Sequence, residues 1–238
     1  MGNDSTSTRE FKSLVSVGDM YVTKHKGMSE AELVRGFMES LSLTEETQTA
    51  IEQNTRGQAD SLLWFELRKG RIAASKFHDV YTKVNSVVSN RSQTEPRPDH
   101  TPCYKTYALK SFYANEAVKH VDFKLEKCGL YIHQTKPYIG AISPFEIKCP
   151  YTTRNESVID IASQCDFFVK INDQVCLRPS HKYYIQLTGE MTMIKQRYPY
   201  CKQGYFVSYT PINTFVQAVP LDQTQFMVKC RTEPRYIF

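Results

Sequence analysis

Apolar and polar positions alternate with two different periods along this chain, and the change between them divides it. Residues 1 to about 27 are polar without a sustained period and read as a loose arm. From Met28 to Gln53, Leu33, Phe37 and Leu41 fall on one stripe at helical spacing, and Ser42 or Thr44 is placed to cap a second helix through Glu45, Glu46 and Ile51. Ala59 to Lys69 predicts another helix around Trp64, stopped by Gly70, because glycine accepts the left-handed cap conformation. A further helix is predicted from Ser75 towards Tyr81, a polar loop over Ser89 to Pro102, and a helix over Tyr107 to Val121.

Strand patterns follow. Leu130 to Ile142 and Phe145 to Cys149 read as strands, broken at Lys136-Pro137 and Ser143-Pro144. Pro150 to Ser157 is a polar connection, and Phe167 to Ile171 with Gln174 to Leu177 predicts a hairpin turning at Asn172-Asp173. Tyr183 to Gln196 is helical, and Gly204 to Thr210 and Phe215 to Val219 close the pattern as strands. Helices, strands, a helix and strands define an α/β class with a central mixed sheet flanked by helices, and a helical N-terminal preface.

A length of 238 residues suits one domain with that preface. The net charge of +5 permits an anionic partner without demanding one. Seven cysteines without a CxxC pair argue against a disulfide framework or zinc ribbon and for a reducing, intracellular compartment, nucleus or cytoplasm. The sequence has neither a secretory pattern nor an apolar run of bilayer length, so no membrane partner is expected. Met1-Gly2-Asn3-Asp4-Ser5-Thr6 fits the loose myristoylation pattern, which is short enough to arise by chance. The histidines lack H-x3-H or H-E-x-x-H spacing, so a zinc hydrolase is unsupported.

The most informative stretch is Phe145-Glu146-Ile147-Lys148-Cys149-Pro150. Period-two alternation puts Glu146 and Lys148 on one face and Phe145, Ile147 and Cys149 on the other. Such a pair is either a solvated ion pair or part of a phosphodiester-hydrolysing site, where the carboxylate holds a cation and the amine orients water. Arg68, Arg71 and Ser75 are further candidates: a guanidinium forks onto phosphate oxygens, and a serine opening a helix offers its hydroxyl beside free N–H groups.

These tracts resemble the YqaJ-type viral recombinase and phage lambda exonuclease family of the PD-(D/E)XK, restriction-endonuclease-like superfamily. The E-I-K-C-P signature matches Glu146 to Pro150. Trp64, Arg68, Gly70-Arg71-Ile72 and Ala74-Ser75 resemble the family's W-x3-R-x-x-R-I-T-A-S element, with Ala73 in place of threonine. Glu116 matches the glutamate of a G-x-x-x-E helix, with Phe112 in place of the glycine. His181 to Gln186 resembles H-x-Y-Y-x-Q, on the helix flanking the family's active site.

The resemblance implies a restriction-endonuclease-like core over 43–238, preceded by an arm and helix over 1–42. It implies a metal-dependent 5′-3′ DNA exonuclease of recombination or repair, acting on linear duplex ends. Glu116, Glu146 and the Ile147 carbonyl would hold Mg2+ or Mn2+, Lys148 would position water, Gln186 would line the site, and Arg68, Arg71 and Ser75 would grip a 5′ phosphate. Rings and single-strand annealing partners occur among such relatives. One departure is large. Where the family reads P-x-L-G-A-S-P-D-G and then a hairpin, Pro137 to Pro144 runs directly into Phe145-Glu146, so the central aspartate is absent. Three explanations compete: a segment lost from the sequence, a catalytically inactive DNA-binding or interaction module, or replacement by Asp160 or Asp166.

Overall fold

The computed structural model describes residues 11–82, 128–135, 138–141, 145–150, 152–195 and 197–221. The loop predicted over Ser89 to Pro102, the helix over Tyr107 to Val121 and its Glu116 lie outside the described residues.

The first described element corrects the loose arm, because α1 spans Leu14–Lys24 behind an Ser13 cap that accepts from the Ser16 N–H at 3.1 Å. Its apolar residues wrap around the helix instead of forming a stripe, and Val15, Val17, Met20 and Val22 stay exposed. Helix α2 (Glu30–Ser40) starts in a capping box between Ser29 and Glu32, and α3 (Glu45–Asn54) starts at the Thr44 cap that the sequence marks. Each such cap is worth about 1 kcal/mol. Helix α4 (Leu62–Arg68) ends before Gly70, whose φ of +74° is the left-handed conformation glycine tolerates. Strand β1 (Ile72–Ala73) passes through a 3₁₀ turn at Ala74–Lys76 into α5 (Phe77–Thr82).

Strands β2 (Leu130–Ile132) and β3 (Tyr138–Ala141) join β1 in a sheet of order β1-β3-β2, with β3 parallel to β1 and antiparallel to β2. Alternation sorts this sheet's faces. Ala73, Leu130, Ile132 and Ile139 pack with Ile51 of α3 and Leu67 of α4. Ile72, Tyr131 and Tyr138 pack on the other side with Phe77 of α5 and with Ile185 and Met193 of a later helix. That helix, α6 (Lys182–Ile194), is the longest described.

Strand β4 (Phe145–Lys148) pairs parallel with β7 (Gln203–Tyr209), which pairs antiparallel with β8 (Thr214–Pro220). The hairpin of β5 (Phe168–Ile171) and β6 (Gln174–Leu177) turns through Asn172 and Asp173, both at positive φ. Leu187 and Met191 of α6 pack against Phe206 of β7 and Phe168 of β5 in a second core. Helix α6 therefore has one row of side chains on each of two sheets, and the polar residues between those rows lie where the sheets meet. Among the described residues no helix is long and apolar enough to cross a membrane.

Candidate functional site

Strand β4 sits beside β7 in the register Phe145↔Tyr205, Glu146↔Phe206, Ile147↔Val207 and Lys148↔Ser208. Directly paired residues share a face, so Glu146 and Lys148 point with Phe206 to the side that α6 covers. Phe145 stacks on Tyr205 with ring centroids 5.3 Å apart. The register places Ile147 mid-strand, and no described strand lies on the other side of β4. Alternate carbonyls of such an edge face away from the partner strand.

Glu146 is only 7% exposed, and its Oε1 forms an ion pair with Lys148 Nζ. The ammonium also lies 4.0 Å from the centroid of the Tyr183 ring on α6, a cation–π placement that fixes it from the helix side. Gln186, one turn further along α6, donates its Nε2 hydrogens to two carboxylates: Glu146 Oε2 at 2.8 Å and Glu190 Oε1 at 3.1 Å. Glu190 is the site residue that the sequence reading missed. Its signal was the spacing of four from Gln186, which puts both side chains on one helix face.

Glu190 is 5% exposed. Burial, then the neighbouring Glu146 charge, drive its carboxyl well above the usual carboxylate range, against the Gln186 hydrogen bond and the Lys148 charge. The cluster thus holds two carboxylates and one ammonium. Glycine at position 140 of β3 makes room for it. A Cβ there would lie 2.6 Å from Met193 Cε, 3.2 Å from Ala74 Cβ and 3.6 Å from Glu190 Cγ. The same contacts bring the tract containing Ser75 next to the acidic cluster.

Arg68 ends α4 with its guanidinium 5.6 Å from the Trp64 ring centroid. Arg71 donates from Nη1 to the Leu67 carbonyl at 2.7 Å. Burial lowers both arginines, Arg71 to about 10, and neither has a carboxylate partner among the described residues. Ser75 is exposed, the second residue of the 3₁₀ turn and not a helix cap. Of the acids considered as substitutes for the absent aspartate, Asp160 is exposed in a 3₁₀ turn. The Asp166 side chain is 85% exposed and lies 3.6 Å from His181 Nε2, at the start of α6. Neither reaches Glu146 through any described interaction.

Among the described residues no three His, Cys, Asp or Glu side chains group closely enough to hold a metal. Two carboxylates are nonetheless a donor set that suits Mg2+, which takes one or two carboxylates and keeps its remaining ligands as water.

An α/β fold of mixed sheets and flanking helices is the class this architecture defines, and a solved structure shares that fold. A structure titled as a SOX–DNA complex superposes with a TM-score of 0.52 at 11% identity, covering 90% of this chain and 75% of that one. The shutoff and exonuclease protein from Kaposi's sarcoma-associated herpesvirus superposes with a TM-score of 0.48 at 10% identity, covering 90% and 76%. The family model of the viral alkaline exonucleases matches residues 9–121, so the chain resembles that family over α1 to α5 and beyond. A comparison with curated protein sequences gives no match.

Proposed function

We propose that this chain is a metal-dependent DNA exonuclease-like domain that hydrolyses phosphodiester bonds in recombination or repair. The observation that carries the reading is the Glu146–Lys148–Gln186 constellation, held between β4 and α6 in a fold shared with a protein solved on DNA.

The chemistry follows from the side chains. Glu146 presents a carboxylate whose geometry is fixed by the Lys148 ammonium and the Gln186 amide. Lys148, held between that carboxylate and the Tyr183 ring, orients the attacking water and offsets charge growing on the phosphate. Arg68 and Arg71, without described carboxylate partners, bind the 5′ phosphate with Ser75. Glu116 and the Ile147 carbonyl add oxygen ligands by resemblance, and the place of the absent aspartate stays open. When bound there, Mg2+ or Mn2+ supplies positive charge to the scissile phosphate.

A second reading has its own observation. The β3 tract runs from Ser143-Pro144 straight into Phe145, without the family's aspartate. A chain so altered is a catalytically inactive DNA-binding or interaction module.

Incubation with 5′-phosphorylated linear duplex and Mn2+ or Mg2+ separates the two. The nuclease reading expects release of nucleotides by the native chain and a loss of about 100-fold or more in Lys148→Met with DNA binding kept. Salt-sensitive DNA binding without release by the native chain selects the inactive module.

A further inference from the structure

Glu190 lies beside Gln186 in the polar strip between the two apolar rows of α6, and nothing in the reading above uses it. A buried carboxyl is held protonated, paired or bound to a cation, and a cation would keep it ionised. Among the described residues Glu190 forms no ion pair, and the nearby Lys148 is ion-paired with Glu146. We propose that Glu190 is the carboxylate that joins Glu146 on the metal-binding face, reaching it from α6 in place of the acid that β3 lacks. The inference rests on the nuclease reading and assigns the ligand that reading left open.

Position supports it first. Glu190 Cγ packs 3.6 Å from where a Cβ of Gly140 would lie, so the carboxyl stem runs along β3. Gly140 stands just upstream of the place where the resemblance expects the aspartate. Geometry supports it next. The Gln186 amide donates to Glu146 Oε2 and Glu190 Oε1 together, which brings one oxygen of each carboxylate to a single nitrogen. The remaining Glu190 oxygen makes no hydrogen bond to any described residue, and is available to a ligand.

Charge makes the same point. Ionised for ligation, Glu190 would bring the cluster to two carboxylates and one ammonium, an excess of one negative charge beside the buried Glu146. A divalent cation reverses that sign, giving a net positive face for a phosphate. An independent observation comes from β7. Ser208, paired with Lys148 across the ladder, is fully buried, and its Oγ has no hydrogen-bond partner among the described residues. Register puts that hydroxyl on the Lys148 side of the sheet, so the face keeps polar capacity that described residues leave unsatisfied.

Mn2+ is the probe, with binding read by calorimetry and by the metal-induced rise in thermal midpoint of the full chain. The native chain is expected to bind Mn2+. Glu190→Gln, which preserves shape and the Gln186 contact, is expected to weaken binding at least about 10-fold. Its metal-free midpoint is expected to equal or exceed the native one, because a buried carboxylate has been removed. Glu190→Asp, which keeps the charge on a shorter stem, is expected to fall between the two and supplies the reading if the glutamine variant does not fold. Glu146→Gln separates the failures. Loss of Mn2+ binding in Glu146→Gln with native-like binding in both Glu190 variants overturns the Glu190 assignment and leaves the nuclease reading standing. Absence of Mn2+ binding by the native chain overturns both.

Discussion

At Gly129, one absent methyl group decides how α3 meets β2. A Cβ there would run into the Glu52 backbone carbonyl and lie 2.5 Å from Thr55 Oγ1. The close approach lets the Gly129 N–H reach Glu52 Oε1 at 2.9 Å and the Leu130 N–H reach Thr55 Oγ1 at 2.7 Å. Burial works against the Glu52 charge, but the Arg56 guanidinium and the Gly129 N–H outweigh it and hold the carboxyl below its ordinary range. Gly129→Ala is therefore expected to lose about 3 kcal/mol or more, since the obstacle is backbone and cannot rotate away. A fall in urea midpoint would register it; an unchanged midpoint would mean that α3 and β2 are not locked together. Residues of the site differed in legibility for a related reason. Glu146, Lys148 and Gln186 stood in local motifs. Glu190 stands in none, and its value comes from β3 and β4 arriving beside α6, which only tertiary contact reveals.

Among the elements, α6 depends on an unusual cap. His181 Nδ1 accepts from the Tyr183 N–H at 3.2 Å, which requires that nitrogen to carry no proton. Burial lowers the His181 pKa from 6.5, and Lys182 and His78 lower it further, while Asp166 on the Nε2 side raises it. The unfolded chain therefore takes up this proton first as pH falls. The cap's contribution is complete above the unfolded value of 6.5 and is lost as pH drops through the lower folded value. Thermal midpoints measured between about pH 7 and pH 5 should decline. His181→Asn, which caps without titrating in that range, should flatten the decline. An equal slope in both proteins would remove His181 as the cause. Elements with a one-sided apolar stripe or a clear turn, such as α2 and the β5–β6 hairpin, were legible from sequence. Helix α1 was not, because its apolar residues do not gather on one face and only Leu14 is buried.

Over the whole molecule, a charge of +5 is too small to identify a nucleic-acid binder alone. Arg68 and Arg71, half-buried beside α4, are the cations of the candidate phosphate contact. If they bind phosphate, affinity for linear duplex should fall steeply with added salt, and Arg68→Ala should shallow the log–log slope by about 1. A slope unchanged by that substitution would take Arg68 out of the contact. The α/β class and the order of most described elements after α1 were readable in advance. The division of the described strands into two three-stranded sheets and a hairpin was not, because pairing between distant strands leaves no local trace. That pairing has a consequence for biosynthesis. Phe145 leaves the ribosome long before its ladder partner Tyr205. Until translation delivers β7, the acid and amine of β4 have no platform, so a stalled nascent chain carries the chemistry in its sequence but not in space. On the nuclease reading, the assembled site waits for the synthesis of β7.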